Sequence, residues 1–241
     1  MKIFITDYDG TLFTSDKKLP KTIKKLKILK ENNFIIIIAT GRSYPSIKNQ
    51  TDVYNIPYDY LICADGSIIY NKDGIIEKKY NMKEDIILPL KEFYQNLNFE
   101  EIQFSYPEGY SNILKDNNNN LLGINICFST NNYKKEIVDK FISMSQNYPD
   151  YNFLDYMHPN FSYLCVKPKK ISKSFAIKYL MKKNKVLKND IYVIGDSTND
   201  YEMINDFQGS CITTACEDIL AIAKKKYKTI DNYIDDIINM N

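Results

Sequence analysis

The run Phe34-Ile35-Ile36-Ile37-Ile38 constrains the fold more than any other stretch of the chain. It shows no polar alternation, so a strand built from it is buried on both faces, as happens in parallel sheets covered by helices. The runs Ile3-Phe4-Ile5, Tyr60-Leu61-Ile62-Cys63 and Ile191-Tyr192-Val193-Ile194 have the same character. Between the first strand and the isoleucine run, Pro20 suits a first helical turn, and Ile23, Leu26 and Leu29 recur at helical spacing up to Asn32. Strand, helix, strand, helix, strand predicts an α/β fold with a doubly wound parallel-sheet core.

From about Tyr80 to Cys165 the grammar changes. A helix is expected from about Lys83 to Leu97, then strands near Ile102 to Tyr106 and Tyr110 to Leu114, and a polar loop tip at Asp116 to Asn120. A strand at Ile124 to Phe128, a helix from about Tyr133 to Asn147, and strands near Tyr151 to Tyr156 and Phe161 to Val166 complete an inserted α/β unit over 80–165. From Ser172 the first pattern resumes. The core is therefore read as 1–79 and 166–241.

In an open parallel sheet, ligands bind beyond the carboxyl ends of the strands. Asp7 and Asp9, Thr40 to Ser43, Asp65, and Asp196 to Asp200 all fall at such ends. Asp7-Tyr8-Asp9-Gly10 is equally the chemistry of a tight turn, with Asp bonding its own backbone and Gly at positive φ. Two carboxylates at about 4 Å repel by roughly 4 kcal/mol at an effective dielectric of 20, so the gathering asks for a cation. Oxygen ligands without His or Cys specify a hard ion, Mg²⁺ first.

Lys173 lies one turn ahead of Ala176, Ile177 and Leu180 on a buried helical stripe, and a lysine aimed at the core rim needs an anionic partner unless its stem snorkels to solvent. Thr40-Gly41 before a helix offers a hydroxyl and approachable amides to an anion, or simply a cap. Arg42 is the only arginine; its planar fork binds phosphate or carboxylate bidentately, so a substrate or structural anion contact is expected over an ordinary surface charge, and Arg42 is placed with Thr40 and Gly41 among the phosphate- and substrate-binding residues. Together these groups equip the rim for phosphoryl transfer, with a carboxylate able to attack phosphorus. The single histidine, His158, belongs to the inserted unit, so the acid/base is expected to be a carboxylate, Asp9.

These motifs resemble the haloacid dehalogenase superfamily of phosphatases, and the insertion after the third strand resembles the α/β cap of its Cof-like branch. The resemblance spans the chain and implies that Asp7 is the nucleophile and that Asp9 protonates the leaving group and then activates water. It further implies that Thr40 anchors phosphate, Lys173 neutralises it, and Asn199 touches the phosphate region. Mg²⁺ would be held by Asp7, Asp196 and the Asp9 carbonyl, with Asp200 orienting its waters. Asp65-Gly66-Ser67 departs from the usual Asn-Gly-Ala and adds a negative charge that would discourage anionic leaving groups. Ser174 replaces a usual Gly, Thr214 a usual Asn, and Asn232 to Asp235 lacks the usual Gly-Val. His158 is read as either a solvent-exposed loop residue or a polar group facing the active site.

The expected function is a Mg²⁺-dependent phosphatase acting on a small phosphomonoester, in particular a sugar phosphate. The alternatives are a sugar phosphomutase on the same core or a non-catalytic sugar-phosphate-binding module. With Lys+Arg 32 against Asp+Glu 30, no excess charge favours nucleic acid. Five scattered cysteines without a Cys-x-x-Cys pair read as reduced thiols, and neither a membrane span nor a signal segment is expected. The expectation is a cytoplasmic monomer or weak dimer with a phosphorylated small molecule as its partner.

Overall fold

The computed structural model describes residues 1–115, 118–129, 134–157 and 160–240. In chain order the elements are β1 (Lys2–Thr6), α1 (Leu19–Glu31), β2 (Phe34–Ala39), α2 (Tyr44–Tyr54), β3 (Tyr60–Cys63), β4 (Ile68–Asn71) and β5 (Ile76–Lys79). Next come α3 (Ile87–Tyr94), β6 (Glu101–Tyr106), β7 (Gly109–Ser111), β8 (Gly123–Ser129), α4 (Lys135–Ser143), β9 (Tyr151–Met157) and β10 (Phe161–Pro168). The chain closes with α5 (Lys173–Lys183), β11 (Ile191–Gly195), α6 (Tyr201–Phe207), β12 (Ser210–Ile212), α7 (Glu217–Ile222), β13 (Lys226–Tyr227) and α8 (Ile230–Asn239). Contacts divide it into two compact units, Met1–Lys79 with Ser172–Asn241, and Tyr80–Ile171.

The first unit is built on an eight-stranded sheet in the order β13-β12-β11-β1-β2-β3-β4-β5. Six strands from β13 to β3 run parallel; β4 and β5 add antiparallel pairs at one edge. Ile3, Phe4 and Ile5 of β1 are fully buried, as the absence of polar alternation requires. Each such side chain contributes about 1.5–3 kcal/mol of transfer free energy before chain entropy is charged against it. β1 pairs with β11 on one side and β2 on the other, and from β1 the sheet grows in opposite directions. Thr6 stands opposite both Ile194 and Ile38, and Ala39 opposite Ile62, so four strands end level. The residues that follow them, Asp7, Thr40, Ala64 and Asp196, share one rim at the reversal of strand order.

The second unit is a five-stranded antiparallel sheet, β7-β6-β8-β10-β9. Phe104, Ile126, Phe128 and Leu164 from its strands pack with Leu90 and Phe93 of α3 and Phe141 of α4.

Several expected boundaries move. The inserted unit starts at Tyr80, and the chain reaches it from β5, because the β4–β5 hairpin first extends the core sheet beyond the third strand. A return to the core at 166 would cut β10, whose pairing with β9 runs to Pro168, and the second unit continues to Ile171. The helix that follows Thr40–Ser43 starts at Tyr44, and the carbonyls of Thr40 and Arg42 accept from Asp65 and Ala64 amides (3.1 and 3.0 Å), which holds that stretch out of the helix. The strand expected over Tyr110 to Leu114 is confined to Gly109–Ser111. Part of the polar tip at 116–120, the helix start at Tyr133, and His158 lie outside the described residues. Among the described residues no helix is long and apolar enough to cross a membrane.

Candidate active site

β1 delivers Asp7 and α5 delivers Lys173 to the same buried point. Lys173 has no solvent exposure and donates from Nζ to Asp7 Oδ1 and to Asp200 Oδ1, both at 2.7 Å. The buried stripe of α5 thus ends in an ammonium that meets its anionic partners, and no part of it snorkels out. The other oxygen of Asp200 accepts from the amides of Asp196 (2.9 Å) and Ser197 (3.1 Å), so both its oxygens are committed. The Ser197 side chain completes a reciprocal cap with residue 200.

Asp7 differs. Its Oδ2 is buried and is the one such side-chain atom, among the described residues, without a hydrogen-bond partner. An orphaned carboxylate oxygen costs about 1–3 kcal/mol or more, so its persistence asks for a ligand. Oxygens of Asp7, Asp196 and Asp200 lie within 4.8 Å of one another. The donor set is carboxylate only, which fits a hard divalent cation such as Mg²⁺ and not a thiophilic metal.

Burial pushes the Asp7 carboxyl well above the usual range, with Lys173 pulling it down and the neighbouring Asp200 and Asp196 adding to the rise. Burial alone would lower Lys173, but Asp7, Asp200 and Asp65 more than offset it and hold the ammonium charged. The two directions agree physically: one ammonium cannot neutralise a cluster of carboxylates. Asp196 is also raised, first by burial, against a hydrogen bond from Thr11 Oγ1 to its Oδ1 at 2.5 Å.

Gly10 makes this approach possible. Its φ of +84° turns the chain after Asp9, and a Cβ there would strike the Asp196 carboxylate. Turn chemistry and site chemistry therefore coexist in Asp7–Gly10.

Asp9 points elsewhere. Its two oxygens are gripped by Arg42, from Nε (2.7 Å) and Nη2 (2.6 Å). Arg42 is raised, above all by this hydrogen bonding to Asp9. The pair is about half exposed, so it contributes roughly 0–1 kcal/mol to stability. The anion that the sequence left open for Arg42 is, in this structure, Asp9.

Thr40 is buried and its Oγ1 accepts from the Arg42 amide at 3.1 Å, which leaves its own proton to donate. Beside it, a Cβ on Gly41 would stand 3.2 Å from Asp65 Oδ1 and 3.7 Å from Asn199 Nδ2. Asn199 Nδ2 donates to Asp65 Oδ1 (2.9 Å) while its Oδ1 accepts from Ser197 Oγ (2.8 Å), which fixes the amide from both ends. Ala64 and Asp65 occupy left-handed backbone at φ 47° and 52°, a costly conformation for residues with a Cβ that aims Asp65 at Asn199. Sequence reasoning gave Asp65 an electrostatic role toward anionic leaving groups but not its bond to Asn199, and did not single out Thr11 or Ser197. The partners of Asp65 and Thr11 lie 134 and 185 residues away, beyond any local signal, whereas Ser197 and Asp200 form a Ser-x-x-Asp capping pair that the sequence itself spells. Ser174, at a departure from the family pattern, donates to Asp206 at 2.5 Å and ties α5 to α6.

The site at the sheet end is an acidic, lysine-buttressed centre. The family of haloacid dehalogenase-like hydrolases matches residues 4–236, and the chain belongs to it. A Buchnera aphidicola (subsp. Schizaphis graminum) protein named "Putative phosphatase" is 26% identical, covering 88% of this chain and 83% of that protein. The fold is shared with a haloacid dehalogenase-like hydrolase from B. subtilis (TM-score 0.81, 17% identity, 98% of this chain and 99% of that one). It is shared too with a Bacteroides thetaiotaomicron protein described among phosphatases of the superfamily (TM-score 0.76, 18% identity, 98% and 94% covered).

Proposed function

We propose that this hydrolase is a Mg²⁺-dependent phosphatase of small phosphomonoesters, sugar phosphates foremost. The observation that carries the reading is Asp7: one oxygen held by Lys173, the other buried and unpartnered among carboxylates. A nucleophile needs a free lone pair and a nearby cation that lets a dianion approach. The name of the Buchnera relative and the superfamily of the Bacteroides structure point the same way.

Asp7 and Asp196 would hold Mg²⁺ together with the Asp9 carbonyl, while Asp200, whose oxygens are already committed, would orient metal-bound water. The ion, when bound, would offset the charge of the phosphate and of the acidic cluster. Thr40 Oγ1 and the Gly41 amide receive the phosphate oxygens, Lys173 neutralises them, and the Asn199 amide faces the same region. An Asp7 oxygen bonds to phosphorus as the ester P–O bond breaks, and the departing alkoxide takes the proton of the Asp9 carboxyl. A water then attacks phosphorus, passes its proton to Asp9, and frees Asp7 and inorganic phosphate.

The test is phosphate release from a panel of phosphomonoesters with Mg²⁺ and with chelator. Release that requires Mg²⁺ and vanishes in Asp7→Asn supports the reading; no release from any ester, or full rate in Asp7→Asn, overturns it.

A further inference from the structure

The chain places lysine at every cationic Lys/Arg position but one among 32, and the exception is Arg42. That guanidinium is held on several sides. Nε and Nη2 form the two-bond fork with Asp9, and Nη1 reaches Ser46 Oγ at 3.4 Å. The guanidinium carbon sits 5.0 Å from the centroid of the Tyr8 ring. Tyr8 is itself fully buried, stacked on Phe13 at 5.6 Å, and bonded through its hydroxyl to Gln50 at 3.2 Å.

Resting on the phosphatase reading, we propose that Arg42 is a positioning residue for Asp9 and not a ligand of the phosphate. Three observations converge. A partly exposed ion pair adds little to stability, so the value of the fork lies in orientation. Lysine would supply the same charge but cannot grip both oxygens of a carboxylate, and this is the one place where the chain departs from lysine. The Arg42 amide also donates to Thr40 Oγ1, so a single residue sets both the expected phosphate anchor and the proton carrier. A phosphate that took Arg42 by its Nε/Nη2 edge would first have to displace Asp9 from a two-bond grip.

The consequence is specific. If Arg42 acts through Asp9, its loss impairs proton delivery to the leaving group, and the damage grows with the basicity of that group. General acid catalysis contributes typically about 10²–10⁴-fold where the leaving group needs a proton, and little where it does not. The ratio kcat/KM reports the first irreversible step, bond cleavage to the leaving group, and isolates this effect from later water attack.

The experiment uses the full chain. Arg42→Lys and Arg42→Ala are assayed on p-nitrophenyl phosphate and on glycerol 2-phosphate. The expected result is a fall in kcat/KM at least about tenfold larger on the alkyl ester, with the fork-less lysine variant behaving like the alanine one. Arg42→Ala combined with Asp9→Asn is expected to be no slower than Asp9→Asn alone. An equal fall on both esters, a rise in KM without a change in kcat, or an additive double variant assigns Arg42 to phosphate binding and overturns the proposal. The second arm needs no turnover: with ¹⁵N-arginine labelling the protein gives one side-chain Nε–H signal. It is expected to be protected from exchange, unmoved by inorganic phosphate, and deprotected in Asp9→Asn. A signal that exchanges freely, or that phosphate moves while Asp9→Asn does not, refutes the fork. Should the wild-type chain hydrolyse no ester, the phosphatase reading fails, and this second arm still decides the geometry.

Discussion

Replacing Asp7 with Asn is expected to stabilise the metal-free protein while abolishing its response to Mg²⁺. In the structure the Asp7 carboxyl is raised chiefly by burial, and its Oδ2 has no partner. Each unit of such a rise costs about 1.4 kcal/mol of folding stability once the group is ionised. The sign follows from proton linkage: a carboxyl with a higher folded than unfolded value binds more protons when folded. Stability therefore falls as pH rises from the ordinary carboxylate range toward the folded value of Asp7. Asn is nearly isosteric, keeps an oxygen for Lys173, and removes the charge. The gain in chelator at neutral pH is put at about 1–3 kcal/mol, given that buried charge costs more than buried amide. For a chain of this size that is a rise of roughly 2–12 °C in Tm. Mg²⁺ at about 100 times its Kd adds roughly 2.7 kcal/mol to the wild-type chain alone, so saturating metal narrows or reverses the order. Thermal unfolding followed by circular dichroism, in chelator and in Mg²⁺ at several pH values, reads both effects. An Asp7→Asn protein that melts below wild type in chelator, or a wild type whose Tm ignores Mg²⁺, refutes the reasoning.

Lys173→Met leaves Asp7 and Asp200 without their shared cation, and a loss of about 3–5 kcal/mol is expected in urea unfolding; a change under about 1 kcal/mol contradicts the buried ion pairs. Gly10→Ala forces a Cβ into left-handed backbone and against Asp196, so it should cost about 1–3 kcal/mol and weaken Mg²⁺ binding measured by calorimetry, whereas unchanged affinity would show that the turn does not shape the site. Asp65→Asn keeps an oxygen for Asn199 but removes a negative charge; kcat/KM on esters with anionic leaving groups should rise roughly two- to fivefold relative to neutral ones at low salt, and an unaltered ratio counts against an electrostatic role. Ser174→Ala should cost about 1 kcal/mol through its bond to Asp206 and leave the rate on any ester unchanged.

What the sequence could reveal follows from which interactions are local. Phe34 to Ile38 and Ile3 to Ile5 announced strands because burial on both faces leaves no polar period, and their carboxyl ends announced the rim. Lys173 was legible because a helix repeats every three or four residues, so a lysine in register with Ala176, Ile177 and Leu180 points where they point. β5 was hidden because Ile76–Lys79 is an edge strand with no buried residue, so its composition carries no core signal. The shape of the Thr40–Ser43 loop depends on amides donated from 64 and 65, and the Asp9–Arg42 fork spans 33 residues. No window along the chain contains both partners of such contacts. Asp65 was visible as a departure from relatives, but its bond to Asn199, 134 residues away, was not.

The central claim is that Asp7 attacks phosphorus. It is tested most directly by stopping turnover of a phosphomonoester with hydroxylamine, which converts an aspartyl-phosphate to a hydroxamate, and locating the modification by peptide mass spectrometry. The account predicts a hydroxamate at Asp7 that appears only with substrate and is absent from Asp7→Asn. Steady phosphate release with Asp7 unmodified at every time point would contradict it.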